Sequence, residues 1–337
     1  MSIVIEKPGL LATLQDLGRY GYQKQGVVVG GAMDTAAARI ANWLVGNDES
    51  EAVLELTLAG AELRIVKECW IAVCGGDMSP VTKRGEKVPQ WRPVKAAAGA
   101  VIRFAGCRSG CRTYVALAGG LDAPLTLGSR STYLRGGIGG LEGRALRAGD
   151  ALTPRNEAAE LRLDERTLAE SEELRWPRWH AGGFAVAHMD IAEIRLMSGM
   201  HTDWLHEEAR MRLEQEIFAV GRNSDRMGYR LDAGEGLSMT GDRPELLSEP
   251  VAMGTIQLPP DGSPIILMAD RQTTGGYPRI GHVATVDLPV LAQLKPGDRL
   301  RLQRVSHAAA ETLLLEDELE MLQLKGAIGL KLAGAVT

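Results

Sequence analysis

The sequence predicts a mainly β protein, two β-barrel halves carrying a few helices, and three observations carry that expectation. Glycine fills 40 of 337 positions, well above the usual ~7%, which implies many tight turns. Short runs rich in Val, Ile, Leu and Thr, each bounded by Gly, Pro or Asp, recur through both halves. Helical patterning is confined to three segments that do not alternate regularly with the strands, which disfavours a doubly wound parallel sheet.

The elements follow in order. Strands are expected in the first half at Val53–Leu58, Glu62–Val66, Trp70–Cys74, Ala100–Phe104 and Thr113–Ala118. In the second half they are expected at Ala192–Met197, Phe218–Gly221, Thr255–Leu258, Ile265–Ala269, Val283–Asp287 and Arg299–Val305. Asp34 reads as the N-cap of a helix with Ala37, Ile40, Ala41 and Leu44 on one face, stopped at Gly46-Asn47. Thr202–Glu216 and Ser306–Lys325 are the other two helices.

Residues 156–180 are polar, charged and punctuated by proline, and are read as a linker between a first half, 1–155, and a second half, 181–337. Leu146-Arg-Ala-Gly-Asp-Ala-Leu152 and Leu294-Lys-Pro-Gly-Asp-Arg-Leu300 form a faint internal echo. It is too short to prove a duplication.

The net charge of −5, from 38 basic and 43 acidic residues, comes without a basic tract. A nucleic-acid surface, which needs a concentrated positive footprint, is therefore not expected. No apolar run approaches the ~20 residues of a membrane span. The N-terminus has no basic region followed by an apolar one, so a cytoplasmic protein is expected.

Several motifs look like chemistry and read as structure. Cys69, Cys74, Cys107 and Cys111 lack zinc-site spacing. Cys69 and Cys74, five apart on a strand, point to opposite faces. His201 and His206 are also five apart, about 140° round a helix, and read as solvated helix-surface residues; no metal site is expected. Gly136–Gly143 fits neither phosphate-loop pattern, although its amides have the means to cradle an anion.

Four segments crowd polar side chains and glycine together. They are Thr13–Gly21 running on to Asp34, Gly128–Gly137, Gly221–Leu231, and Ala269–Pro278 preceded by Gln257–Gly262. In the last, Gln272 supplies an amide, Thr273 and Thr274 hydroxyls, and Gly275-Gly276 close backbone approach. Asp270 is a base or an orienting group, and Tyr277 a flank for a small planar amide. Arg222 and Arg226 offer guanidinium forks for an anion. The plain alternative is that pairs such as Asp225–Arg226 and Asp270–Arg271 only staple turns.

QDLGRYGYQKQG…GAMD, GSRSTYLRGGIGGLEGRALRAGD, GRNSDRMGYRL and TIQLPPDGSPIILMADRQTTGGYPRIG resemble the signature stretches of the KipA / allophanate hydrolase subunit 2 family. This family is also described as biotin-dependent carboxyltransferase-like and as the C subunit of 5-oxoprolinase. The resemblance runs from about residue 3 to residue 305; Val28 departs from it, where the family often has proline. It implies cyclophilin-like β-barrels and two partners, a KipI-like B subunit together with a LamB/YcsF-like A subunit. It also implies an ATP-dependent 5-oxoprolinase, with magnesium, that opens 5-oxo-L-proline to L-glutamate. It further implies catalytic roles for Asp270, Gln272, Thr273 and Arg226. Substrate contacts would fall to Arg222, Asn223, Asp225, Thr274, Gly275 and Tyr277, with Gln15, Asp16, Arg19 and Asp34 behind them. Two alternatives stay open. One is carboxyl transfer to a urea-like amide, with biotin on another chain because this one has no Met-Lys-Met acceptor. The other is a KipA-like antagonist of a KipI-like kinase inhibitor. On this reading Gln272→Ala and Arg226→Ala should abolish activity and leave stability nearly unchanged.

Overall fold

The structure, a computed structural model, describes residues 2–157, 161–163, 165–182, 190–232, 234–241 and 246–334. The chain divides into two compact units. One comprises Met1–Arg19, Gly30–His188 and Glu320–Thr337, the other Tyr20–Val29 and Met189–Leu319.

In the first unit the strands are β1 (Ile3–Pro8), β2 (Leu11–Gln15), β3 (Val53–Thr57), β4 (Ala61–Ile65), β5 (Cys69–Asp77), β6 (Val81–Thr82), β7 (Pro93–Ala96), β8 (Val101–Arg103), β9 (Ser109–Leu117), β10 (Ala151–Leu152), β11 (Ala169–Glu170) and β12 (Leu174–Trp176), with one helix, α1 (Thr35–Leu44). They form a five-stranded sheet, β10-β1-β4-β8-β6, and a seven-stranded sheet, β11-β12-β7-β5-β9-β3-β2. Strands β11 and β12 lie within the polar stretch 156–180, and β12 joins the larger sheet through Leu174 opposite Ala96.

The reason for two layers is visible in the alternation along each strand. Leu54 and Leu56 of β3, Ile71 and Val73 of β5, and Val115 and Leu117 of β9 share a core with Ile3, Ile5, Leu63 and Ile102 of the smaller sheet. The residues between them, Val53, Ala72, Cys74, Tyr114 and Ala116, face the other way and bury Ala37, Ile40, Ala41 and Leu44 of α1. Asp34 caps α1 as expected, its carboxylate accepting from the Ala37 amide at 2.9 Å. Cys69 and Cys74 fall on opposite faces of β5, one against each core. Burial, with Glu68 adding to it, pushes the Cys69 thiol up to about 12. Burial likewise holds the Cys74 thiol well above its usual range, with the Asp34 charge adding to it.

The second unit closes a barrel. Its elements are β13 (Ala192–Ser198), α2 (Glu207–Gln215), β14 (Ile217–Val220), β15 (Gly228–Asp232), β16 (Glu249–Pro250), β17 (Thr255–Gln257), β18 (Ile265–Leu267), β19 (Thr274–Gly275), β20 (Arg279–Val283), α3 (Leu288–Ala292), β21 (Arg299–Arg304) and the start of α4 (His307–Leu332). The barrel order is β13-β20-β17-β18-β15-β14-β21, while β16 and β19 pair as a separate ribbon. The mainly β expectation holds. No helix among the described residues is long and apolar enough to cross a membrane.

The helix expected over Thr202–Glu216 is split. A 3-10 turn, Thr202–Trp204, ends at an extended Leu205 before α2 begins. His201 therefore sits ahead of the helix and is buried rather than solvated. Its Nδ1 accepts from the Arg279 amide at 3.1 Å, and its ring meets Trp204 edge-on at 4.3 Å.

The internal echo is a shared turn. Gly149 and Gly297 both have φ +91. Asp150 and Asp298 each accept from the amide three residues back, at 2.7 and 3.0 Å. Each aspartate amide returns a bond to that same residue's carbonyl. The left-handed position between them requires glycine, and each turn delivers a strand, β10 or β21.

Candidate functional site

In the first unit, the polar segments build a clasp. Asp16 accepts at Oδ1 from the Gly18 amide (2.8 Å) and from the hydroxyls of Ser129 (2.7 Å) and Ser131 (2.6 Å), and at Oδ2 from the Arg130 amide (2.5 Å). Arg19 is fully buried, with Nε donating to the Thr126 carbonyl and Nη2 to that of Ser131. Gln15 donates to Thr13 Oγ1 and to the Thr132 carbonyl. These side chains join 13–19 to 126–132, with Gln15 Oε1 buried and without a partner among the described residues. In the glycine-rich stretch 136–143, the amides of Gly137, Ile138, Gly140 and Gly143 donate to backbone carbonyls, which leaves fewer for an anion.

Behind α1 lies a buried polar row on the helix-facing side of the large sheet. Thr13 stands opposite Glu55, and Glu55 opposite Tyr114. The Tyr114 hydroxyl donates to Glu55 Oε2 (2.9 Å) and accepts from the Asp34 amide (2.8 Å), while the Met33 amide also reaches Glu55 (3.0 Å). Burial first, then the charges of Glu55 and Asp34, push the phenol well above its usual range and keep it a donor. Asp34 thus fixes where α1 starts.

In the second unit, Arg226 and Asp270 form a buried two-bond pair, Nε–Oδ2 and Nη2–Oδ1 both at 2.9 Å. The Asp270 amide also donates to the Arg226 carbonyl at 2.8 Å. The Asp225 carboxylate turns back to the Met227 amide at 2.8 Å, and Arg222 and Asn223 stand exposed on the preceding turn. Thr273 lends its carbonyl to the Val251 amide, Thr274 and Gly275 form β19, and Tyr277 is 46% exposed.

The remaining capacity for a ligand collects beside the β16–β19 ribbon. Gln272 Nε2 donates to Gln257 Oε1 at 3.3 Å, and the Gln257 Nε2 is buried with no partner among the described residues. A Cβ on Gly275 would meet that same nitrogen at 2.3 Å, so the backbone of β19 lies directly on the Gln257 amide. Two residues along β17, Thr255 Oγ1 is 3.4 Å from His282 Nδ1. Burial, with Arg271 adding to it, holds the His282 imidazole below its usual range and neutral at pH 7. Arg271 is half-buried and, among the described residues, donates only to carbonyls, those of Val251, Met268 and Ala269 at 3.3–3.5 Å. A guanidinium bonded only to carbonyls among the described residues, an amide donor without a partner among them and a neutral imidazole are the parts needed for a small carboxylate bearing an amide.

The structure brings Gln272 and Gly275 of the expected residues into this niche, sets Arg226 and Asp270 against each other beside it, and keeps Gln15, Asp16, Arg19 and Asp34 in the first unit. Thr255, Gln257, Arg271 and His282 escaped sequence reasoning as site residues, Gln257 and Arg271 although they lie in the polar segments picked out there. The available signal was alternation along β17, where a polar pair flanks the buried Ile256.

The comparisons with known proteins agree with this architecture. The chain is 33% identical over 316 residues to the C subunit of 5-oxoprolinase from Haemophilus influenzae, covering 93% of this chain and 94% of that one. It is 35% identical over 303 residues to the C subunit of 5-oxoprolinase from Escherichia coli, covering 90% and 91%. The crystal structure of Kluyveromyces lactis urea amidolyase superposes with a TM-score of 0.82 at 27% identity over 96% of this chain, which spans 20% of that much longer enzyme. Residues 25–304 match the family model described as carboxyltransferase domain, subdomain A and B. With that match over most of its length, the chain belongs to the carboxyltransferase domain family, subdomains A and B.

Proposed function

We propose that the chain is the C subunit of an ATP-dependent 5-oxoprolinase complex, working with a KipI-like B subunit and with a LamB/YcsF-like A subunit. The observation that carries this reading is the unpaired Gln257 amide near Arg271, whose guanidinium forms no ion pair among the described residues and feels the Asp270 charge only at a distance. Near-complete mutual coverage with two proteins named as the C subunit of 5-oxoprolinase supports it. In this reading Arg271 takes the substrate carboxylate and Gln257 donates to the lactam oxygen, with Gln272 fixing the orientation of the Gln257 amide. The lactam oxygen attacks the γ-phosphorus of ATP and ADP leaves. A first water then adds at the activated carbon, the ring C–N bond breaks to leave a γ-glutamyl phosphate, and a second water releases phosphate and glutamate. The neutral His282 imidazole is a proton acceptor within the niche. No group of three metal-ligating side chains gathers among the described residues; in this reading magnesium travels on the phosphates of ATP.

A second reading, carboxyl transfer to a urea-like amide with biotin carried by another chain, is favoured by the fold shared with urea amidolyase. One assay separates the two: the purified chain mixed with both partner subunits, with and without 5-oxo-L-proline. ADP and glutamate appearing together only in the full mixture support the oxoprolinase. Absence of turnover, in a mixture where the three chains associate stably, moves the function to carboxyl transfer or to regulation.

A further inference from the structure

The first unit contains a cavity of about 640 Å³, well removed in sequence from every segment discussed above as a site. Its walls come from the end of β5, the turn into β6, the stretch before β7, the start of β9 and the end of β12. Trp176, half-buried, supplies indole surface, Trp91 lines the wall with its ring buried in the core beneath α1, Lys87 and Arg108 supply charge, and Asp77 and Ser79 supply a polar edge. The volume is that of a site for a drug-sized molecule.

Two features mark it as more than a surface dent. Lys87 and Arg108 form no ion pair and no side-chain hydrogen bond among the described residues, so the cavity carries two cations against the single carboxylate of Asp77. Ser79 lines the wall, its Oγ buried within the protein with no partner among the described residues. The backbone is also held in unusual conformations here, with φ +49 at Ser79 and +58 at Trp91. Asp77 Oδ1 fixes the first by accepting from the Ser79 amide at 2.7 Å, and the Trp91 amide is anchored on the Val73 carbonyl at 2.8 Å. Such strain persists where surrounding structure imposes it.

We propose that this cavity binds a mononucleotide, its flat heterocycle against the indole of Trp176 and its phosphates at Lys87 and Arg108. A purely apolar ligand would make no use of the two cations. A bare inorganic anion would leave the indole surface unused. A planar base joined to phosphate uses both, since aromatic stacking accepts any base and guanidinium and ammonium groups suit phosphate oxygens. The ligand class rests on the cavity; the choice of an adenine nucleotide as probe rests on the ATP-dependent reading above.

The test uses the purified full chain, with ADP, AMP and inorganic tripolyphosphate titrated by calorimetry and by tryptophan fluorescence. Saturable one-to-one ADP binding with quenching is expected. Affinity should fall about tenfold in Arg108→Ala and in Lys87→Ala, each an exposed side chain whose loss leaves the fold intact. Trp176→Phe should retain binding with altered quenching, and Trp176→Ala should lose about tenfold. Absence of saturable binding at millimolar ADP overturns the proposal, as does binding indifferent to all of these substitutions, or tripolyphosphate binding as tightly as ADP. The two readings fail separately. Nucleotide binding without lactam opening by the assembled complex sinks the oxoprolinase and spares the cavity. Full turnover with an unchanged KM for ATP in Lys87→Ala/Arg108→Ala sinks the cavity and spares the oxoprolinase.

Discussion

Arg226 and Asp270, 44 residues apart, face each other across two bonds of 2.9 Å with side chains only 7% and 8% exposed. The fork–fork geometry satisfies both charges and ties the turn before β15 to the turn after β18. A group so fully engaged has little left for a substrate, which makes the pair a frame for the Gln257–Gln272 niche.

The expectation that Arg226→Ala leaves stability unchanged is therefore reversed. Removing one partner strands a buried charge, at a cost of about 3–5 kcal/mol. Urea denaturation should show this loss for Arg226→Ala and for Asp270→Ala alike, and the apolar pair Arg226→Met/Asp270→Leu should recover much of it. An Arg226→Ala variant with wild-type stability and no complex activity would restore a direct catalytic role.

Gln257 should behave in the opposite way. Its buried Nε2 makes no bond among the described residues, so Gln257→Leu removes an orphaned donor of similar volume and should alter stability by less than about 1 kcal/mol. In the reconstituted complex, KM for 5-oxo-L-proline should rise by about tenfold or more, the value of one lost hydrogen bond to a charged or polarised oxygen. A stability loss with unchanged KM would make Gln257 a packing residue.

Gly275→Ala tests the same contact through space alone. The added methyl carbon would fall 2.3 Å from Gln257 Nε2, so either β19 or the amide must move. Activity should drop as in Gln257→Leu, and the double variant Gly275→Ala/Gln257→Ala, which removes the clash, should be more stable than Gly275→Ala alone.

Stability should fall in mild acid. Burial holds both His201 and His282 below the usual histidine range, so the unfolded chain binds protons more tightly than the folded one. The stabilisation is complete above about pH 6.5 and is lost as pH falls through the folded values. Urea midpoints measured at pH 7.5 and 5.5 should separate more for the wild type than for His282→Gln. Equal separations would assign the acid sensitivity elsewhere.

Asp16 should prove structural. Four donors converge on its carboxylate, and Asp16→Ala orphans all of them at about 1–3 kcal/mol for each that water cannot reach. Thermal denaturation should show a large drop in Tm, with residual activity scaling with the folded fraction. Loss of activity at unchanged Tm would place Asp16 in the reaction.

By itself the sequence determined what local physics controls. Glycine and β-branched runs specified a strand-rich chain. Asp34 followed by Ala37, Ile40, Ala41 and Leu44 specified a capped helix, and odd spacing put Cys69 and Cys74 on opposite faces of one strand. Matching Gly-Asp turns at 149–150 and 297–298 were likewise legible, because a left-handed glycine and an aspartate cap act over four residues. What only the tertiary structure decided were the partners. Arg226 carries the same chemistry whether it meets Asp270 or a ligand, and nothing near it in sequence chooses between them. His201 looked like a helix-surface residue until Leu205 broke the helix and the Arg279 amide bonded its Nδ1. The niche at Gln257 and the cavity at Trp91 and Trp176 arise where strands distant in sequence pair and leave polar atoms unmatched. That is a property of register and closure, which no single segment encodes.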